Sequence, residues 1–362
     1  MQPAEGPHQR PSRRIGRFAS VRRSVRIPLV ILLGLLVLAG GYAVYWRIVS
    51  GQIKQGLIAW QQSEKKDKVD ASWQSLRVTG FPFAFRVEVD NATFRNHTWS
   101  PAPEVRLAKL SGAARPWDFA DWQLAAPHGF TTELAPAAGR PAVKLATTEA
   151  DGSVTLGEHD DSWFWLNARD IGGDAGGAVA IRSADIWVTM PTKPATKDND
   201  PSFGLAVAMR QVDVPAPPIN FGKTIDALAI GVTVKGALPP GPMAQAAAAW
   251  RDAGGTIEVD NLHLEWSGLG ITANGTLALD HKLQPIAAFS GGIEGFGAII
   301  NALVAADQMT PEQGSLVQIA LTTLAKPGPD GKPQLTAPFT IQNGKMYLGP
   351  ARLGAVPQII WQ

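Results

Sequence analysis

Segment after segment of this chain places a large apolar residue at every second position, and a period of two is the signature of a strand. In GLAVAM (Gly204 to Met209), Leu205, Val207 and Met209 alternate with Gly204, Ala206 and Ala208. In ALAIGVTV (Ala227 to Val234), Leu228, Ile230, Val232 and Val234 alternate with Ala227, Ala229, Gly231 and Thr233. In GFPFAFRVEVDNATF, residues 80 to 94, the same period puts Phe81, Phe83, Phe85, Val87 and Val89 on one face of a strand. Pro82, Ala84, Arg86, Glu88 and Asp90 take the other. A sheet with one wet face alternates apolar with plainly polar residues. Here much of the second face is small and only weakly polar, so a helix, a second sheet or a ligand is expected to cover it.

Further strands are expected at Val105 to Leu110, Ala142 to Ala146, Ala178 to Met190, Thr256 to Trp266, Gly270 to Leu279 and Pro338 to Leu348. Abundant Gly (37) and Pro (28) favour many turns between them. Asn274-Gly275 and Asn343-Gly344 tolerate the positive φ of type I′ turns, and both predict tight hairpins. Helices are expected at Met243 to Arg251, at Gly297 to Asp307, and from Thr310, where Pro311 and Gln313 complete a capping box. EVDN occurs twice, at Glu88 to Asn91 and Glu258 to Asn261, each read as a strand end.

Ahead of this body, Ile27 to Trp46 carries no charge. At 1.5 Å per residue it spans about 30 Å, the thickness of a bilayer core. Seven arginines against Glu5 give residues 1–26 a charge of +6, so the remainder of a +2 chain carries −4. A basic arm directly before an apolar run reads as a topology signal rather than a nucleic-acid arm, with the N-terminus cytoplasmic. A cleaved signal peptide is the competing reading, since Ala39-Gly40-Gly41 is small enough to cut. Ile53, Leu57 and Trp60 then share one face of a short amphipathic helix.

Side chains for chemistry are sparse. Cysteine is absent, and the six histidines form no ligand pair at metal spacing. No nucleophile elbow or P-loop occurs. His159-Asp160-Asp161 is the densest polar triplet, and it reads as a loop. The expectation is a protein without catalytic residues, metal or cofactor.

Several stretches together resemble a known family: GFPFAFRVEVDN, RPWDF (Arg115 to Phe119), the run from Val259 to Val304, and IQNGKMYLGPARLGAVPQI (Ile341 to Ile359). They are similar to alphaproteobacterial envelope proteins grouped as domain of unknown function 2125. That family has no established catalytic residues. The strand-rich body is also distantly similar to AsmA-like proteins, a resemblance that implies a long sheet with a hydrophobic groove for lipid.

The expected fold is mainly β, of the α+β kind. Large curved antiparallel sheets carry a few packing helices behind one N-terminal transmembrane helix. The expected divisions are a basic arm (1–26), an anchor (27–46), an amphipathic helix and linker (47–70), and two β-rich lobes (71–192 and 202–362). The expected location is a bacterial inner membrane, single pass, with the main domain periplasmic. The groove candidates are Phe81, Phe83, Phe85, Val87, Leu228, Ile230 and Val232. The expected partners are the inner membrane, a lipid or other hydrophobic ligand, and an envelope protein, with no nucleic acid. The alternative function is a scaffold that docks a protein partner and has no groove.

Overall fold

The computed structural model describes residues 21–65, 68–97, 101–137, 141–157, 161–214, 221–328 and 331–361. Helix α1 (Val21–Glu64) is followed by β1 (Val69–Ser72), β2 (Ser75–Thr79), β3 (Phe85–Asn96), β4 (Glu104–Arg115), β5 (Asp118–Ala126) and β6 (Thr131–Leu134). Next come β7 (Val143–Ala146), β8 (Glu149–Thr155), β9 (Ser162–Asp174), β10 (Ala178–Met190), β11 (Pro201–Asp213) and β12 (Thr224–Lys235). Helix α2 (Met243–Asp252) leads to β13 (Thr256–Trp266), β14 (Leu269–Leu279) and β15 (Pro285–Glu294). Helices α3 (Phe296–Ala305) and α4 (Pro311–Leu324) precede β16 (Lys326–Pro327), β17 (Pro333–Gln342), β18 (Lys345–Leu348) and β19 (Ala351–Ala355).

The chain divides into two units, one ending at Gln52 and one running from Ile53 to Gln362. In the first, the apolar part of α1 is long and apolar enough to cross a membrane. The amphipathic helix expected after the anchor is no separate element, because α1 runs unbroken for 44 residues. Ile53, Leu57 and Gln61 are half-buried along one face, and Trp60 lies outside it. Gln61 Nε2 donates to the Ala71 carbonyl at 2.7 Å, joining the helix end to β1.

Among the described residues, the strands of the second unit form one nineteen-stranded sheet in which every pairing is antiparallel. Its topology is an up-and-down meander. β1 and β2 share the flank of β3, β5 and β6 that of β4, β7 and β8 that of β9, and β16 and β18 that of β17. Nineteen strands less these four shared places leave fifteen rungs. Strands on either side of the expected lobe boundary pair with each other. The boundary expected between residues 192 and 202 falls at the connection between β10 and β11, which pair from Ile181↔Val212 to Thr189↔Gly204.

Of the two Asn-Gly pairs, only Asn343-Gly344 makes a turn, with φ of 53° and 68° between β17 and β18. Asn274-Gly275 lies within the continuous strand β14. Gly275 is needed there for a close approach, since a Cβ would stand 2.2 Å from the Ala288 carbonyl oxygen. The tight turn falls instead at Ser267 and Gly268, with φ of 48° and 82°. All three expected helices form, and α4 carries the Thr310/Gln313 capping box.

One line of irregularity crosses nine rungs. β1 and β2 part at Trp73-Gln74, β5 and β6 at residues 127–130, and β7 and β8 at Thr147-Thr148. On the intervening strands the line passes through Asn91, Ala108, Asp170, Arg182, Gln211 and Asp226, where ladder pairing lapses but register resumes. Asn91, Asp170 and Gln211 are left-handed, at φ of 50°, 46° and 50°. Such an irregularity bends a strand and moves its side chains to the other face. Apolar residues are accordingly spaced by three across the line: Val89 to Ala92, Leu107 to Leu110, Ala168 to Ile171, Ile181 to Ala184, Met209 to Val212, and Ile225 to Leu228. The extra step keeps one face of the sheet apolar along its whole strands.

The two EVDN segments are therefore not strand ends. Asn91 lies inside β3 on this line, and Asp260-Asn261 lies at a register shift inside β13, carrying the apolar face from Val259 to Leu262. A β-branched residue is poorly tolerated at positive φ. We expect Asn91→Val to destabilise the full chain by about 1–2 kcal/mol, and Asn91→Gly to leave it near wild type. The denaturation midpoint of the detergent-solubilised chain checks both.

Candidate functional site: the apolar face of the sheet

The registers connect strands that are far apart in sequence. Val87 stands opposite Gly112, Gly112 opposite Leu124, Leu124 opposite Gly152, and Gly152 opposite Leu166. The row continues through Ile186 and Val207 to Ile230, then to Leu262, Ala273, Gly291 and Ala337. Residues directly opposite one another share a face. Val87 and Ile230, taken from two separate motifs, therefore lie in one row, seven strand spacings or roughly 34 Å apart along the sheet. Leu228 and Val232 flank Ile230 on the same face, opposite Met209 and Leu205.

Phe81 and Phe83 do not join this row. They sit in the turn between β2 and β3, 52% and 77% exposed, with the Phe83 and Ala84 amides both donating to the Gly80 carbonyl. The Gly80–Ala84 turn interrupts the period-two pattern, so only Phe85, Val87 and Val89 form the strand face. Phe85 is fully buried, its ring centroid 5.3 Å from that of Phe119. Phe85 is thus a core residue rather than one open to a ligand.

Beside this row runs a ladder of small residues: Ala126 opposite Ala150, Ala150 opposite Ala168, and Ala168 opposite Ala184. It lies against the line of irregularity, and all four alanines are buried. Where strands bend, side chains on the inner side converge, and a methyl is what fits. Phe94, Val105, Leu110, Phe130, Leu145, Leu166, Ile181 and Met209 pack around the cluster. A cavity of about 330 Å³ opens here, lined by Phe94, Leu107, Leu110, Leu124, Phe130, Phe164, Leu166 and their neighbours, and its exposed walls are apolar.

Most of the face is half-buried rather than buried. Leu205, Val207, Leu228, Ile230, Val232, Leu262 and Leu264 are all intermediate in exposure. Among the described residues Phe85 is the one large side chain with essentially no exposure. Two sheets packed face to face would bury many large side chains completely. The face is instead lined by carbon and left accessible.

Helices α2, α3 and α4 meet the sheet at its later rungs. Trp250 of α2 packs with Val234 and Leu279, and its Nε1 donates to the Lys235 carbonyl at 2.7 Å. Trp361 joins this cluster and donates to the Leu283 carbonyl at 2.9 Å. At the other strand ends, Phe296 and Ile300 of α3 are buried near the start of β14.

The opposite face carries charged and small residues together with Trp163, Trp165 and Trp187. Arg95, Glu104, Glu133 and Lys144 form a cross-strand row in which Arg95 pairs with Glu104, Lys144 Nζ lies 3.1 Å from Glu133, and Arg106 bridges the two glutamates. The Lys144 hydrogen bond, helped by the Arg106 charge against a desolvation penalty, holds the Glu133 carboxyl below the ordinary glutamate range. Trp165 and Trp187 stand opposite each other on this face, and Trp165 Nε1 donates to Asp185 at 3.2 Å.

Among the described residues no group of His, Asp and Glu is placed to hold a metal ion. His159 and Asp160 lie outside the described residues, and Asp161 accepts from the Thr192 amide at 3.2 Å. The alanine ladder and the cavity above it escaped sequence reading. The signal for them was present as polar pairs between apolar residues, Asp90-Asn91, Arg169-Asp170 and Arg210-Gln211, each at a break in the alternation.

No curated protein and no solved structure matches the chain. A family model described as "Uncharacterized protein conserved in bacteria (DUF2125)" matches residues 46–357, from the end of the apolar helical stretch almost to the C-terminus. With most of its length matched, including every strand of the sheet that carries the apolar face, the chain belongs to this bacterial family.

Proposed function

We propose that this protein is a membrane-anchored carrier or acceptor of lipid, with the apolar sheet face as the binding surface. It acts in the bacterial envelope, tethered to the inner membrane by α1 with the sheet in the periplasm. The arginine-rich residues 1–26 support a cytoplasmic N-terminus. The observation that carries the reading is the half-exposed apolar row from Leu166 to Ile230 and beyond, which an acyl chain would cover; Val87, at the row's other end, is buried. Each buried methylene contributes about 0.8 kcal/mol, so ten would give roughly 8 kcal/mol before ordering costs. The reading is one of binding, with no chemical step, and the distant AsmA-like resemblance agrees with it.

Lipid extraction and mass spectrometry of the full chain, purified in a detergent that exchanges bulk lipid, tests the proposal. A defined lipid retained at near-stoichiometric amount is expected. A chain that carries no lipid, and takes up none on incubation with envelope extract, contradicts it.

A further inference from the structure

The connections of the meander fall on two opposite edges of the sheet, and the edges differ. One edge holds the β2–β3, β4–β5, β8–β9, β10–β11, β12–α2, β14–β15 and β17–β18 connections. Five of these seven, all but β14–β15 and β17–β18, bear a large exposed apolar side chain in the turn or at the strand residue flanking it. They include Phe81, Phe83, Trp117, Leu156, Met190 and Leu238, with Trp117 72% exposed. Among the described residues, the strand-to-strand turns of the opposite edge bear none. The exposed apolar residues there, Leu316, Ile319 and Leu324, sit on α4.

We infer that this edge is a membrane-contacting lip, inserting its turn residues into the surface of a lipid bilayer. Three features favour a bilayer as the occupant. The apolar residues form a line, one or two per turn, with successive turns two rungs or about 10 Å apart. A protein interface of ordinary size has a contiguous apolar core, whereas a bilayer surface accepts separate insertions along a line. Phe and Trp are side chains suited to the boundary between headgroups and acyl chains. Finally, the same turns carry both signs of charge, Arg115 and Lys197 beside Asp118 and Asp198, so the contact is apolar rather than a response to acidic headgroups. The chain also carries a helix apolar and long enough to cross a membrane, which keeps it at a lipid surface.

This inference does not require a lipid in the apolar face, and its test can succeed where the lipid-carrier proposal fails. The chain has no cysteine, so single cysteines can be labelled without background. Phe83→Cys, Trp117→Cys and, on the opposite edge, Ala175→Cys are each labelled with an environment-sensitive fluorophore. The full chain is then reconstituted into phosphatidylcholine vesicles, with and without acyl-brominated phosphatidylcholine. Blue-shifted emission that brominated lipid quenches is expected at positions 83 and 117, unchanged by high salt, with neither effect at 175. Labels at 83 and 117 that report water, or equal quenching at 175, overturn the inference. Quenching at 83 and 117 that disappears at high salt also overturns it.

Discussion

Replacing Phe85 with alanine is expected to lower the stability of the chain by about 3–5 kcal/mol. The same change at Phe83, two residues earlier, is expected to shift it by no more than about 0.5 kcal/mol. In the sequence the two phenylalanines are equivalent members of one alternating run. In the structure they are opposites: Phe85 opens β3 against Phe119 with no exposure, and Phe83 projects from the preceding turn. Removing a buried ring loses its transfer free energy and leaves a cavity that a ladder-bonded strand cannot close. Removing an exposed ring does neither. Chemical denaturation of the full chain in detergent, followed by tryptophan fluorescence, reads both variants. Equal effects at the two positions would mean that the strand begins before Phe85.

The second large effect concerns ligand rather than fold. Val207→Glu combined with Ile230→Glu is expected to abolish retention of lipid while the chain stays folded. The two residues face each other across β11 and β12 in the middle of the apolar row, and both are half-exposed. With the face open, the new carboxylates keep their water and the sheet tolerates them. With an acyl chain seated, each carboxylate must be desolvated without a partner, at a cost of several kcal/mol. Every 1.4 kcal/mol is a factor of ten in affinity, so retention falls below detection. Ala206→Glu with Ala229→Glu, on the opposite face of the same two strands, is expected to leave retention unchanged. Lipid measured per mole of protein separates the pairs, and circular dichroism establishes that both remain folded.

The strands were legible because alternation is local, and most of the helices because their caps and stops are local. β10 and β13 match the expected ranges residue for residue, and Thr310, Pro311 and Gln313 mark the start of α4 as expected. What sequence reading could not supply was register. That Val87 and Ile230 share a row follows only from pairings along the meander, each of which depends on where the neighbouring strand begins. Two local signals misled. The Phe81, Phe83, Phe85 alternation spans a turn and a strand, and period two looks the same in both. Asn274-Gly275 has hairpin chemistry, yet Gly275 serves the close approach of β15. The polar pairs that break the alternation at Asn91, Asp170 and Gln211 were visible. Their meaning needed the neighbouring strands, since only alignment across nine rungs distinguishes a continuous bend from scattered irregularities.

A photoreactive amino acid placed singly at Leu205, Ala206, Val207 and Ala208 in cells tests the central claim most directly, because four consecutive residues sample both faces of one strand. If the apolar face shelters an acyl chain, lipid adducts form at 205 and 207 and are missing at 206 and 208. Adducts at all four positions, at 206 and 208 alone, or only to protein would show that this face is not where lipid lies.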